Sequence, residues 1–239
     1  MKKYTWILWI IISLLLLSQC KQTTNNDEEQ ALIGIAYLAN QQTQSDSVSY
    51  TVTFTSTWSE STHPTDFPSN PHFSGLVGAV HNSEVNFWKA GSEASTGIKN
   101  MAETGSKTSL MSEANTAITN GTALSSLSGN GISNSPGSVS LTFSVTKNFP
   151  IVTLVSMIAP SPDWFIGVHD YNLYENEEWV TNKTVNLYAY DSGTDSGTTY
   201  TSANSVTSPQ ETIFQLQTGI FLVNGTVPTL GTLTFVRND

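Results

Sequence analysis

The chain has 239 residues, of which only 12% are charged, a formal net charge of −10 and a single cysteine. With nine Lys and Arg against nineteen Asp and Glu, no basic stripe is available to neutralise phosphates, which argues against a nucleic-acid partner. A lone cysteine excludes a disulfide framework, and the low charge with abundant Ser, Thr, Asn and Gly favours short strands and turns over surface helices.

Lys2 and Lys3 precede an almost wholly apolar run, Tyr4 to Leu17, closed by Ser18, Gln19 and Cys20. That is the order of a secretory signal, and a run this short falls below the roughly 20 residues a membrane span needs. Leu17-Ser18-Gln19-Cys20 resembles the lipobox of bacterial lipoproteins, with Gln19 where a small residue is usual. The expectation is a signal peptide over 1–19 and a diacylglycerol on the Cys20 thiol. It places the protein across the inner membrane, lipid-anchored in the cell envelope at the outer membrane or cell surface. An ordinary signal cut nearby and an uncleaved anchor are the alternatives. Residues 20–47 read as a polar tether. Within it, Ala31 to Leu38 has the pattern of a short helix, with Asp27, Glu28 and Glu29 where helix starts favour acids. Contact with the membrane surface and docking on the domain are both open for it.

Residues 48–239 suit one domain. Val48, Tyr50, Val52 and Phe54 alternate with Ser and Thr, which predicts a half-buried strand over Val48 to Trp58. His63 to Phe73 holds three prolines and reads as a loop, and Leu76 to Trp88 as strand pieces. Ile98, Met101 and Ala102 recur at helical spacing before a stop at Gly105, and Leu110, Met111, Ala114 and Ile118 predict a second short helix. Asn120 to Gly137 is small and polar, the composition of a long flexible loop. From Ser138 the runs SVSLTFSV, IVTLVSMIA, WFIGVHDYNLY, TVNLYAY, TIFQLQT and GTLTFVRN read as strands between turn residues. The expected fold is all-β, an antiparallel β-sandwich with one or two short helices on the side.

The loop after TVNLYAY carries Asp191 and Asp195, four apart, with Gly193 and Gly197 to let it bend tightly. Such carboxylates suit a hard, oxygen-seeking cation, although Asp in Gly/Ser loops also serves simply to cap turns. His63, His72, His81 and His169 match no zinc spacing, and His81, ending an apolar run, reads as a satisfied core histidine. No nucleophile elbow, P-loop or dinucleotide fingerprint is present. Asp163, Asp170, Glu175, Glu177 and Glu178 contain the residue types of a glycosidase pair, but Glu177 and Glu178 sit in a polar bend where carboxylates are solvated. Trp58, Trp88, Trp164 and Trp179 lie in or beside strands, where core packing is the default.

SPDWFIGV followed by LYAYDSGTDSG resembles the spondin domain of F-spondin and mindin and its bacterial relatives. So do YTVTFTSTWS, HPTDFPSNPHFSGLVGAVHN, FWKAGSEASTGIKNMAETG and the closing LGTLTFV, so the likeness runs from about Ser49 to Arg237. The resemblance implies an antiparallel β-sandwich with a Ca²⁺ at one end, its carboxylates falling on Asp163, Asp191 and Asp195. It also implies a non-catalytic adhesion or binding role, by analogy with the matrix and integrin contacts of the animal family. The expected partner is an extracellular protein or glycan. An envelope hydrolase using the acidic cluster, or a purely structural envelope protein, are the competing expectations.

Overall fold

The computed structural model describes residues 28–35 and 47–238. The signal, Cys20 and most of the tether lie outside the described residues. Residues 28–35 are helical (α1) and expose Leu32, Ile33 and Ile35. No helix among the described residues is long and apolar enough to cross a membrane.

A compact unit spans Val48–Asp239. Its first strand, β1 (Val48–Ser56), buries Tyr50, Val52, Phe54 and Ser56 and turns the intervening residues outward, as the alternation predicts. It lies between β13 (Gly231–Asn238) and β5 (Gly137–Val145), and β10 (Asn182–Leu187) completes a four-stranded antiparallel sheet in the order β10-β13-β1-β5. The second sheet is built from β2 (His72–Phe73), β3 (Val77–His81), β4 (Ala123–Ser128), β6 (Ile151–Ala159), β7 (Trp164–Asn172), β11 (Tyr190–Asp191) and β12 (Phe214–Gln215). Its order is β12-β11-β7-β6-β3-β4, with β2 paired to β6. A small hairpin, β8 (Tyr174–Glu175) with β9 (Glu178–Trp179), hangs beyond the end of β7.

Between the sheets lies the main core, with Tyr50, Val52, Phe54, Leu154, Ile166, Leu233 and Phe235. The outer face of the larger sheet is covered by α2 (Thr96–Thr104) and α3 (Thr108–Thr119) through a second core of Val77, Ala79, Val155, Phe165, Ile98, Met101 and Leu110. That double cover explains why IVTLVSMIA shows no alternation: β6 is buried on both faces. Each large apolar side chain so buried is worth about 1.5–3 kcal/mol.

Local chemistry sets the helix ends. Ser95 caps α2, its Oγ accepting from the Ile98 N–H at 3.2 Å, and Gly105 at φ 71° closes it by donating to the Met101 carbonyl. In α3 the buried residues are Leu110, Ala114 and Ala117, whereas Ile118 is 36% exposed, so the stripe is one residue off the predicted one. The expectation of a flexible loop over 120–137 is corrected: residues Ala123–Ser128 are β4, hydrogen-bonded to β3, and Ala123, Leu127 and Ile132 are buried. The run TVNLYAY does not make one strand either. Val185 and Leu187 belong to the smaller sheet and Tyr190 to the larger, so the chain changes sheets at 188–189 and enters the acidic loop at the sandwich end. Of TIFQLQT only Phe214–Gln215 forms a strand, paired with β11, while Thr212 makes an isolated bridge to Glu93.

Candidate functional site

The site forms where β6 turns into β7 and where β11 leaves the larger sheet. Asp163 precedes β7, and Asp191 ends β11 opposite Trp164. Ser161 shapes the first turn, its Oγ accepting from the Trp164 N–H at 3.1 Å. The three sequence-predicted carboxylates all lie here and are all buried: Asp163 is 0% exposed, Asp191 7% and Asp195 4%.

Asp163 is the hub. Its Oδ2 accepts from the Thr194 N–H at 2.8 Å, the Ser192 hydroxyl at 2.9 Å, the Asp195 N–H at 3.0 Å and the Thr194 hydroxyl at 3.2 Å. Its backbone carbonyl takes the Ser192 N–H as well. Two stretches some thirty residues apart are thereby tied by one carboxylate. The other oxygen of Asp163, Oδ1, is buried without a hydrogen-bond partner. A buried carboxylate oxygen left unpaired is costly and calls for an explanation.

Asp191 accepts from the Gly193 N–H at 2.8 Å and from the Trp164 indole N–H at 3.1 Å. Burial and the neighbouring Asp163 charge push its pKa up to about 7, against those two hydrogen bonds, and Glu211 adds to the rise. Asp195 turns both oxygens to its own loop surroundings, Oδ1 to the Gly197 N–H and Oδ2 to the Ser205 N–H, each at 2.7 Å. It therefore does what a turn-capping Asp does, while each of its oxygens keeps a second lone pair.

Among the described residues no group of three or more His, Cys, Asp or Glu is gathered as a metal cage. The donor set that fits a hard cation is narrower: Asp163 and Asp191, like charges buried side by side, one with an oxygen that nothing satisfies. Two carboxylates leave calcium's remaining positions to carbonyls and water, within its usual six to eight oxygens.

Beneath the carboxylates the sandwich end is sealed by aromatic rings. Trp164 packs edge-on to Tyr200 at 5.5 Å and to Phe221 at 5.1 Å, and the Trp58 indole N–H donates to the Tyr200 hydroxyl. His63 is fully buried beside Phe221, as the Pro-rich loop gave no reason to expect. Burial lowers its pKa to about 4. The Pro228 carbonyl counters this slightly, although Nε2 makes no hydrogen bond of good geometry. His81 is the satisfied core histidine the sequence predicts, with Nε2 against the Thr153 hydroxyl and Nδ1 against the Asn82 carbonyl.

The other carboxylates do not join the site. Asp170 lies seven positions along the extended β7 from Asp163, roughly 23 Å at the rise of a strand. Glu175 pairs with Lys183 at 2.9 Å beyond that strand's far end. Residues that sequence reasoning missed are Ser192 and Thr194, whose hydroxyls are buried on Asp163, and Glu211, Phe214 and Phe221, which line a cleft of about 340 Å³ with Asp191 and Asp195. Periodicity carried no signal for any of them.

Gly193 holds the loop against the segment at Glu211. Its φ is +76°, and an added Cβ would lie 2.3 Å from the Glu211 carbonyl oxygen. Gly193→Ala is expected to lower stability by about 2–3 kcal/mol, or roughly 5–10 °C in Tm, read by thermal unfolding.

A two-sheet antiparallel sandwich with buried carboxylates gathered at one end places the chain among the β-sandwich domains. The family model Spondin_N matches residues 48–221, and the chain belongs to that family. It is 35% identical over 174 residues to Spondin-2 of Homo sapiens, covering 70% of this chain and 52% of that protein. It is 35% identical over 170 residues to Spondin-1 of Gallus gallus, covering 69% of this chain and 21% of that protein. The chain thus spans about half the length of one relative and a fifth of the other.

Proposed function

We propose that this chain is a non-catalytic, calcium-containing adhesion or binding domain outside the cytoplasm, held at the envelope by a lipid on Cys20. Asp163 and Asp191 would hold the ion, and Asp195, its oxygens turned to its own loop, would stand beside it. Calcium would supply charge neutralisation between two buried loops, a structural task that needs no reactive group. The observation that carries the reading is the unpartnered Oδ1 of Asp163 beside the strained ionisation of Asp191.

The topology supports a binding role. β1 runs from Val48, opposite Val145, to Ser56, after which Trp58 reaches the aromatic seal under the carboxylates. Its nine residues span roughly 30 Å. The chain enters the sandwich at the end away from the acidic loop, which leaves that loop clear of the entry point.

Arrays of extracellular proteins and neutral glycans, probed with the full chain in calcium and in EDTA, test the reading. Binding that disappears on chelation is the expected result. A melting curve indifferent to EDTA, with no metal in the purified protein, removes the calcium. Cys20→Ser is expected to abolish labelling by a fatty-acid probe, and labelling that persists removes the anchor.

A further inference from the structure

The cleft of about 340 Å³ beside the carboxylates has a chemistry of its own. One wall is apolar and aromatic, with Trp164, Phe214 and Phe221; the other presents Asp191, Asp195 and Glu211. Phe214 is 42% exposed, so its ring is open to contact from outside. Glu211 is also exposed, and its backbone N–H donates to the Gly193 carbonyl at 2.9 Å, which fixes it beside the acidic loop. No Lys, Arg or His is among the residues that line the cleft.

The geometry points to a subsite for one basic side chain of a partner protein, an arginine or lysine inserted with its alkyl stem on Phe214 and its cationic head at Glu211 and Asp195. The inference deepens the binding role proposed above and rests on it. Size favours a single side chain: the volume stands at the low end for ligand pockets, too small for a peptide segment or a sugar chain. Charge favours a cation even with calcium bound. Asp163, Asp191, Asp195 and Glu211 carry four negative charges when ionised, and one calcium cancels two of them. The aromatic wall adds attraction for a guanidinium held over a ring face, and an alkyl stem covers apolar surface that a small inorganic cation would leave wet.

The probes are N-acetyl-arginine amide, its neutral isostere N-acetyl-citrulline amide, and N-acetyl-glutamate amide, titrated onto the full chain by ligand-observed NMR. Each titration is run in calcium and in EDTA, with a melting curve beside it. Arginine is expected to bind at least tenfold more tightly than citrulline. Glu211→Gln is expected to weaken arginine about fivefold while leaving the calcium-dependent rise in Tm intact. Phe214→Ala, a truncation of an exposed ring, is expected to weaken it without loss of fold. Equal binding of citrulline and arginine overturns the proposal, as does indifference to Glu211→Gln. Calcium-dependent binding of the glutamate probe in place of arginine overturns it too. Arginine binding with a Tm indifferent to calcium would strike the calcium reading and leave the subsite. A calcium-dependent Tm without arginine binding would do the reverse.

Discussion

Asp163→Ala is expected to destabilise the domain by about 3–5 kcal/mol, enough to remove much of a typical domain's stability. The reason lies in the crowding on Oδ2. Two backbone N–H groups and two hydroxyls from residues 192–195 converge on that one oxygen, all of them buried. With the carboxylate gone, each donor keeps its desolvation cost and loses its acceptor. Asp163→Asn separates this scaffolding from the charge. An amide oxygen accepts the same donors, and the amide nitrogen takes the place of the unpaired Oδ1. In EDTA the Asn variant is therefore expected to melt at or above the wild type, since the repulsion with Asp191 is relieved. In calcium the order reverses, because only the wild type has the second buried charge that draws the ion. Thermal unfolding of the three proteins in both conditions reads this directly. A wild type and an Asn variant with equal responses to calcium would show that Asp163 is purely a hydrogen-bond hub.

How far the sequence reached depends on whether a residue's neighbours are local. The Val48–Phe54 alternation was legible because one face of β1 meets the core and the other meets solvent. Ile98, Met101 and Ala102 were legible because a helix repeats its buried face within a few residues. β4 was not: only Ala123 and Leu127 are fully buried in ALSSLS, and its hydrogen bonds go to β3, some forty residues earlier. The acidic loop announced itself through Asp191, Gly193 and Asp195. Asp163 came only through the family likeness, since nothing near it in the chain names a loop whose amides it accepts. Glu211 and Phe214 had no signal. Their part in the cleft arises from β12 pairing with β11, a contact of two residues on each side.

The pH dependence of calcium stabilisation is the second large effect, and its sign follows from two groups that oppose each other. Without calcium, burial and the Asp163 charge push Asp191 up to about 7 in the fold, against the ordinary carboxylate value of 3.8 in the unfolded chain. Its contribution to stability is fully present below 3.8 and is lost as pH rises through 7. His63 works the other way. Its folded value of about 4 lies below 6.5, so its contribution is present above pH 6.5 and is lost as pH falls towards 4. A single stability profile blurs the two, but the difference between calcium and EDTA does not. His63 enters both arms alike, whereas calcium competes with the proton for Asp191. The calcium-induced rise in Tm is thus expected to be small near pH 4 and to grow, on the order of 10 °C, by pH 8. Asp191→Asn is expected to flatten that growth, because the group that must lose its proton is gone. A rise in Tm equal at both pH values would mean that Asp191 is no part of the ion's coordination. The buried pair would then be held apart by its hydrogen bonds to Trp164, Gly193 and the 192–195 amides alone.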